Sequence, residues 1–517
     1  MDTVCANKRI AKNAVLLYVR MFLSLIVSLY TSRVVLQTLG VDDYGVYGVV
    51  GGVVGMFSFL NTAMAGATSR FLTFEMGKDN PIRLRETFSS ALIIHMIIAL
   101  IIFVMAETVG LWIVNYKLVL PEGRLLAANI VYQCSIIGML VTIVQVPYSA
   151  ALIAHERMGT YAYIEMLHVL LKLAIVFVLL IGSFDKLVLY AILMLSVSLL
   201  IAMLYIYNCL KHFQESRFKW VVKKELCMPI LSFSGWNMLS ECGYSFRVYG
   251  SNIVLNTFFG TVVNAAGGIA ATVQGTLLGF VANVVTAVRP QIIMNYSQGN
   301  MERMNTLLTS SIRLNLFLAS LITIPMFVNA SFVLQLWLGD VPLYCVEFCR
   351  LLLFAIYITT VSQIVTIGIH ASGNIKITSL VRSLLYIMTP FVIYAFLRWY
   401  DNGPVVGYVI IVIIQMIACM TDIFILQRNI SYIRGVVVFV DYIKSVIVFA
   451  LICIVLRYEV INTSSQLLQF FVNCLEEWIL IAASFWILIF SKRERNLIKQ
   501  TVVNVIKRLK NEKYFRI

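Results

Sequence analysis

Leu187 to Leu210 reads LVLYAILMLSVSLLIAMLYIYNCL, an unbroken run with no charged residue. As an α-helix at 1.5 Å per residue such a run spans roughly 36 Å, more than the hydrocarbon core of a bilayer, about 30 Å thick. A strand or a buried core helix does not need this length, so the run reads as a transmembrane helix. Comparable runs recur along the whole chain, centred near residues 25, 55, 100, 138, 170, 196, 242, 275, 320, 357, 387, 415, 449 and 479. The expected fold is therefore an all-α polytopic membrane protein with about 14 transmembrane helices. Composition agrees: the 517 residues are 60% hydrophobic and 13% charged, against about 45 to 50% apolar and about 25% charged in soluble domains. A soluble multidomain enzyme is excluded. Lys8, Arg9 and Lys12 lead into a first span that carries Arg20 and Arg33 and lacks a small-residue cleavage site, so the N-terminus reads as a membrane helix and not a cleaved signal.

The formal charge of +15 could suggest nucleic acid, but no soluble segment is long enough to form a basic domain, so no nucleic-acid partner is expected. Topology accounts for the charge. With the N-terminus in the cytoplasm, most Lys and Arg fall on the inner side, and only Lys117, Arg124, Lys186, Arg398 and Arg457 fall outside. Arg20, Arg33, Lys172, Arg247, Arg350 and Lys444 lie within spans, while Arg70, Arg289 and Arg382 count with the inner loops. Both termini are thus expected in the cytoplasm. Segments 211–227 and 492–517 are basic and amphipathic, suited to the anionic inner leaflet. The ten cysteines are scattered singly, which predicts neither disulfides nor a zinc site.

A shift of 220 residues brings Gly40 to Gly48 (GVDDYGVYG) onto Gly260 to Gly268 (GTVVNAAGG), Gly77 onto Ser297, Asn80 onto Asn300, Arg83 onto Arg303 and Ser90 onto Ser310. A shift of 218 brings Gln145 onto Gln363. Six spans separate equivalent positions, so the copies enter the membrane in the same direction, related by an axis along its normal. The expected organisation is a six-helix lobe over 1–207, an amphipathic linker over 208–228, a second six-helix lobe over 229–430, two additional C-terminal helices over 431–490, and a basic tail over 491–517.

An ionisable group at membrane depth costs on the order of 3 kcal/mol and so faces a partner or a wet cavity. Arg20, Ser24 and Ser28 share one face of the first span. Tyr161, Glu165, His168 and Lys172 form a continuous stripe at i, i+4, i+7 and i+11, which lines an interior or ties Glu165 to His168 or Lys172 as a structural ion pair. Span 7 carries Glu241, Tyr244 and Arg247 on one polar face. Glu347 and Arg350, one turn apart, read as a local pair. Glycines at 48, 51, 52 and 55, and at 267, 268, 275 and 279, read as close helix packing. Pro147, Pro290, Pro325 and Pro390 fall inside or at the ends of spans. No phosphate-binding Gly-rich loop, paired loop carboxylates or His cluster is present in the sequence, so neither catalytic residues nor a cofactor is expected.

The runs Lys8 to Asn13 (KRIAKN), Tyr30 to Arg33 (YTSR), Leu39 to Gly45 (LGVDDYG), Phe59 to Thr62 (FLNT) and Ser69 to Leu72 (SRFL) resemble the Wzx-type flippases of O-antigen or capsule repeat units. These belong to the superfamily that includes the multidrug and toxic-compound extruders (MATE). The resemblance covers most of the chain and is strongest over the first 150 residues. It implies a MATE-like bundle of two lobes that alternates access in the bacterial plasma membrane. The implied cargo is an undecaprenyl-diphosphate-linked oligosaccharide, moved from the inner to the outer leaflet. A polysaccharide polymerase is an implied partner and a monomer the implied state. On this reading Arg20, Lys172 and Arg247 bind the diphosphate, with Ser24, Ser28, Tyr161, Glu165, His168, Glu241 and Tyr244 in support. The alternative is a cation-coupled multidrug exporter, which requires a titrating carboxylate; Glu165, Glu241 and Asp422 are the candidates. Span 1 carries arginines where proton-driven extruders of the superfamily typically carry an acid. A glycan polymerase would need a larger outward loop than this chain offers.

Overall fold

The computed structural model describes residues 58–116, 123–179, 185–220, 223–400, 403–458, 466–496 and 499–500, preceded by residue 13, 15–27 and scattered positions from 30 to 54. Ser28, Arg33, Gly48, Gly51, Gly52, Gly55 and the tail beyond 500 lie outside the described residues. Among the described residues every regular element is a helix. In chain order these are α1 (Val15–Val27), α2 (Ser58–Gly77), α3 (Pro81–Tyr116), α4 (Leu125–Ala154), α5 (Met158–Leu179), α6 (Lys186–His212), α7 (Lys224–Phe259) and α8 (Thr261–Ser297). They continue as α9 (Met301–Val328), the short α10 (Ala330–Leu338), α11 (Cys345–Ser372), α12 (Lys376–Trp399), α13 (Val405–Asn429), α14 (Gly435–Tyr458) and α15 (Gln466–Ser484). Eleven of the described helices are long and apolar enough to cross a membrane. The expected spans near 25 and 55 are only partly described. The span near 242 is α7, whose 36 residues include Glu225, Glu241 and Arg247, charges that lower its hydropathy.

The internal repeat is visible in helix boundaries. Gly77 and Ser297, 220 residues apart, end α2 and α8; Pro81 and Met301, again 220 apart, begin α3 and α9. Between them Asp79 (φ 54°) and Gly299 (φ 74°) take the left-handed conformation at the same position of the two turns. Asn80 caps α3 by accepting from the Arg83 N–H at 3.0 Å. The shift of 218 likewise maps the end of α4 at Ala154 onto Ser372 and the start of α5 at Met158 onto Lys376. Gly77 and Ser297 also pack on one another, because a side chain at 77 would run into the Ser297 hydroxyl. Equivalent positions that touch lie at the repeat axis.

The contacts divide the chain into two compact units that do not follow the sequence halves. The first holds residues 1–244, 286–301 and 370–383, and the second 245–285, 302–369 and 384–517. In the first unit, Phe88, Tyr148, Leu152, Ile201 and Tyr205 from α3, α4 and α6 form a buried core with Leu72 of α2. Helix α3 contains a π-helical turn at Ala106–Gly110. The buried Tyr132 donates its hydroxyl to the Ala106 carbonyl at 2.8 Å, a second donor beside the Leu111 N–H that closes the wider turn on the same oxygen. Residues 213–220 and 223, within the expected amphipathic linker, contact the helices of the first unit. Only Gln214–Ser216 is helical there, as one 3-10 turn. His155 stacks on Phe213 at 4.0 Å and pairs with Glu215, Arg85 donates to the Arg217 carbonyl at 2.9 Å, and Lys223 pairs with Glu86 at 2.7 Å. Partial burial raises the Glu215 carboxyl, but the hydrogen bonds from His155 and from a backbone N–H outweigh it and hold the group below its ordinary range.

In the second unit, Leu255, Ala266, Phe348, Tyr386 and Tyr408 build the core, with Phe348 and Tyr408 stacked at 4.0 Å. The glycine readings divide here. Gly267 packs against the Tyr408 hydroxyl, as close packing requires, whereas Gly268 and Gly275 face open space. The expected pair Glu347–Arg350 is not formed among the described residues; Arg350 instead donates at 3.2 Å to the Phe327 carbonyl in the last turn of α9, where helix carbonyls lack intrahelical donors. Pro147, Pro290, Pro325 and Pro390 all sit inside helices. The last two long helices are fastened to α9. Arg313 pairs with Asp441 of α14 at 2.8 Å and with Glu494 at 3.2 Å, and the Trp478 indole of α15 donates to the Leu321 carbonyl at 2.8 Å.

Candidate functional site

Helical periodicity puts Tyr161, Glu165, His168 and Lys172 on one face of α5, and the structure joins three of them into a network within the first unit. Arg20 of α1 donates from Nη1 to the Tyr161 hydroxyl at 3.2 Å, its guanidinium 5.4 Å from the ring centroid. Tyr205 of α6, fully buried, donates its hydroxyl to Glu165 at 2.8 Å, and His168 Nδ1 stands 3.9 Å from the same carboxylate. Lys172 feels the charge of Glu165 but forms no ion pair with it among the described residues. Glu165 is thus held by Tyr205 and His168, and the positive charge of Lys172 is left uncancelled at close range. Ser24 is half-buried on α1 one turn beyond Arg20.

Arg247 belongs to the second unit. It is 6% exposed, donates to Gln415 at 3.1 Å and lies 4.6 Å from the centre of the Tyr386 ring. Glu241 and Tyr244, on the same helix, fall in the first unit. Glu241 faces the charge of Arg382, and Tyr244 is exposed.

A second cationic constellation, absent from the sequence reading, lies in the first unit. Arg70 of α2, Arg289 of α8 and Arg382 of α12 all bear electrostatically on His370 at the end of α11. Arg70 donates from Nε to the His370 carbonyl at 2.9 Å and from Nη2 to the Ala371 carbonyl at 3.4 Å. Its guanidinium lies 4.5 Å from the centre of Phe71, 5.0 Å from Phe74 and 5.4 Å from Phe233. Arg289 reaches to 3.8 Å from where a side chain at Gly66 would begin, in ordinary packing contact with α2. It keeps some exposed surface although surrounded by protein, and no carboxylate pairs with it among the described residues. Three guanidinium groups in a low-dielectric setting, with Glu241 as the counter-charge to Arg382 and Glu75 as that to Arg70, leave a net positive site suited to an anion. The charge count assigned all three arginines to loops. Arg70 and Arg289, however, lie about two turns inside the ends of α2 and α8, and Arg382 lies as far inside α12, each roughly 10 Å along its axis. Their distance from the turn residues Asp79, Gly299 and Gly373 was the available signal.

The fold is that of a multidrug transporter. The chain matches the outward-facing conformation of a multidrug resistance MATE family transporter of the MOP superfamily, with a TM-score of 0.72, 15% identity, and coverage of 82% of this chain and 96% of that one. It matches MATE in the straight conformation at 0.70, with 15% identity and coverage of 82% and 96%. It also matches a MOP superfamily transporter from Pyrococcus furiosus, described as having a binding pocket of reversed polarity, at 0.67 with 16% identity and coverage of 81% and 96%. No curated protein matches by sequence. The profile of the family described as polysaccharide biosynthesis protein matches residues 10–296, more than half of the chain. By that match the chain belongs to the polysaccharide biosynthesis protein family, and it carries the fold of the MATE transporters.

Proposed function

We propose that the protein is a flippase that carries an undecaprenyl-diphosphate-linked oligosaccharide from the inner to the outer leaflet of the bacterial plasma membrane, by alternating access, for cell-surface polysaccharide synthesis. The observation that carries this reading is the set of Arg70, Arg289 and Arg382 around His370, with Glu241 facing Arg382 and Glu75 facing Arg70. Guanidinium groups bind phosphate oxygens in charge-assisted pairs, and a low-dielectric wall strengthens them. Arg20 and Lys172 add positive charge in the same unit, and Arg247 adds it in the other. The competing reading, export of a cation coupled to a titrating carboxylate, is disfavoured because each candidate acid is engaged. Glu165 accepts from Tyr205, Asp422 accepts from Ser362 at 3.0 Å and is 1% exposed, and Glu241 faces Arg382. The Pyrococcus furiosus transporter indicates that a MOP fold admits a pocket of reversed polarity. The sequence organisation into lobes over 1–207 and 229–430, with both termini in the cytoplasm, fits this role.

The test is the fate of the lipid-linked glycan in cells carrying Arg289→Glu, Arg289→Lys or Arg20→Glu. Arg289→Glu should abolish export and leave the glycan on the inner leaflet, while Arg289→Lys, a point charge without the planar fork, keeps part of the activity. Normal export by stably inserted Arg289→Glu and Arg20→Glu proteins would overturn the assignment.

A further inference from the structure

Where α11 turns into α12, the first unit holds a pocket of about 500 Å³, open to the surface. Pockets for small ligands run from about 300 to 1,000 Å³. Its walls include Arg70, Ser232, Phe233, Trp236, Asn374 and Lys376, and no carboxylate lines it. Two cations with no acid in the wall select an anion. Arg70, a wall residue, uses Nε and Nη2 on the backbone carbonyls of His370 and Ala371, which fixes its guanidinium at the pocket. Gly373 (φ 77°) permits this seat: Arg70 Nη2 stands 2.5 Å from where a side chain at 373 would begin. Lys376 opens α12, so the first N–H groups and the positive end of the helix dipole add to the same field. Its ammonium, exposed, lies 5.6 Å from the centre of the Trp236 ring.

The other half of the wall is apolar and aromatic, and the pocket sits at the ends of two apolar membrane helices. Trp at such ends marks the headgroup level of a bilayer, and basic pockets between membrane helices take anionic headgroups. The ligand that meets cations, aromatic rings and this depth at once is an anionic phosphate headgroup on an apolar tail. We infer that the pocket formed by Arg70, Trp236 and Lys376 is a binding site for a phosphate-bearing anionic lipid headgroup. Two sources share that chemistry: an acidic phospholipid of the surrounding leaflet, and the diphosphate of a polyprenyl carrier. The site shares Arg70 with the proposed transport site and so rests in part on that reading, but its occupancy is measured without transport.

The full-length protein is examined by native mass spectrometry after incubation with phosphatidylglycerol, with phosphatidylcholine, and with undecaprenyl diphosphate lacking sugar. The wild type should retain phosphatidylglycerol in preference to phosphatidylcholine. Lys376→Gln should cut that preference about fivefold, the effect of one basic residue at an anionic surface, and Lys376→Glu should abolish it. Lys211→Gln, at the end of α6 and away from the pocket wall, should leave it unchanged. Lys376 is exposed, so an unchanged melting temperature is expected for both of its variants. Undecaprenyl diphosphate that displaces phosphatidylglycerol in a Lys376-dependent way identifies the carrier as occupant; phosphatidylglycerol that persists identifies the leaflet lipid. Equal retention of the two phospholipids, or a preference untouched by Lys376→Glu, overturns the proposal.

Discussion

At position 110 the packing leaves room for a hydrogen atom and nothing larger, because a methyl group would meet the hydroxyl of the buried Tyr132. Gly110→Ala should therefore destabilise the protein by about 1 to 3 kcal/mol, the usual cost of overpacking. Tyr132→Phe in the same chain should recover most of the loss, even though it gives up the bond to Ala106; thermal unfolding of both variants reads this out, and no recovery would locate the strain elsewhere. At this scale the sequence was partly legible. The stripe on α5 could be read because helical period alone brings Glu165, His168 and Lys172 to one face. Its partner Tyr205 could not, since it sits 40 residues away on another helix and looks like any apolar-run tyrosine. The arginines around His370 escaped for a different reason: a charge count sorts residues by side of the membrane and says nothing of depth.

Helix ends carry most of what fixes the elements. Asp185 caps α6 by accepting from the N–H of Leu187 at 3.1 Å, and it pairs with Arg124, which also grips Asp43. Partial burial raises the Asp185 carboxyl, but Arg124 and the cap N–H groups prevail and hold it below its ordinary 3.8. A group whose folded pKa is depressed contributes stability above its unfolded value and loses it as pH falls through the folded one. Asp185→Asn should thus lower the melting temperature at neutral pH, and the gap from wild type should close below about pH 4. A gap that persists in acid would mean the cap alone, and not the charge, is responsible. On α9, removing Arg313 strands Asp441 and Glu494, both largely buried; Arg313→Ala should cost about 3 to 5 kcal/mol and loosen α14 and α15 first, visible as early hydrogen exchange there. The long apolar helices were legible from run length. α7, expected as a span near 242, is not among the eleven helices apolar enough to cross a membrane, because its own charges dilute its hydropathy.

For the molecule as a whole, the proposed cargo would carry about two negative charges outward across an inside-negative membrane, which is downhill by about 2.3 kcal/mol per charge per 100 mV. Transport by the reconstituted protein should follow the membrane potential and ignore ATP; an ATP requirement of the purified protein would refute this. The contact between Gly77 and Ser297 offers a second test. Gly77→Ser should impair export by forcing α2 and α8 apart, and adding Ser297→Gly should restore it by moving the hydroxyl across the repeat axis. Equal export by the single and the paired variant, at equal amounts in the membrane, would show that this close approach is not used. The repeat itself was legible as a constant offset, and the turns at Asp79 and Gly299 give that offset its physical content. The grouping of helix ends into compact units was not, because it depends on contacts between segments more than a hundred residues apart.

That grouping has a consequence for how the protein is made. The first compact unit needs residues 286–301 and 370–383 as well as the first 244. At about 5 to 20 residues per second, the ribosome takes on the order of ten seconds more to supply them. During that interval Arg70 lacks the carbonyls of His370 and Ala371, and Glu156 lacks Gln291. The leading half of the chain therefore waits in the membrane without these two long-range contacts. Assembly of the unit that carries the arginines is set by the arrival of the α11–α12 turn and not by completion of the first six helices.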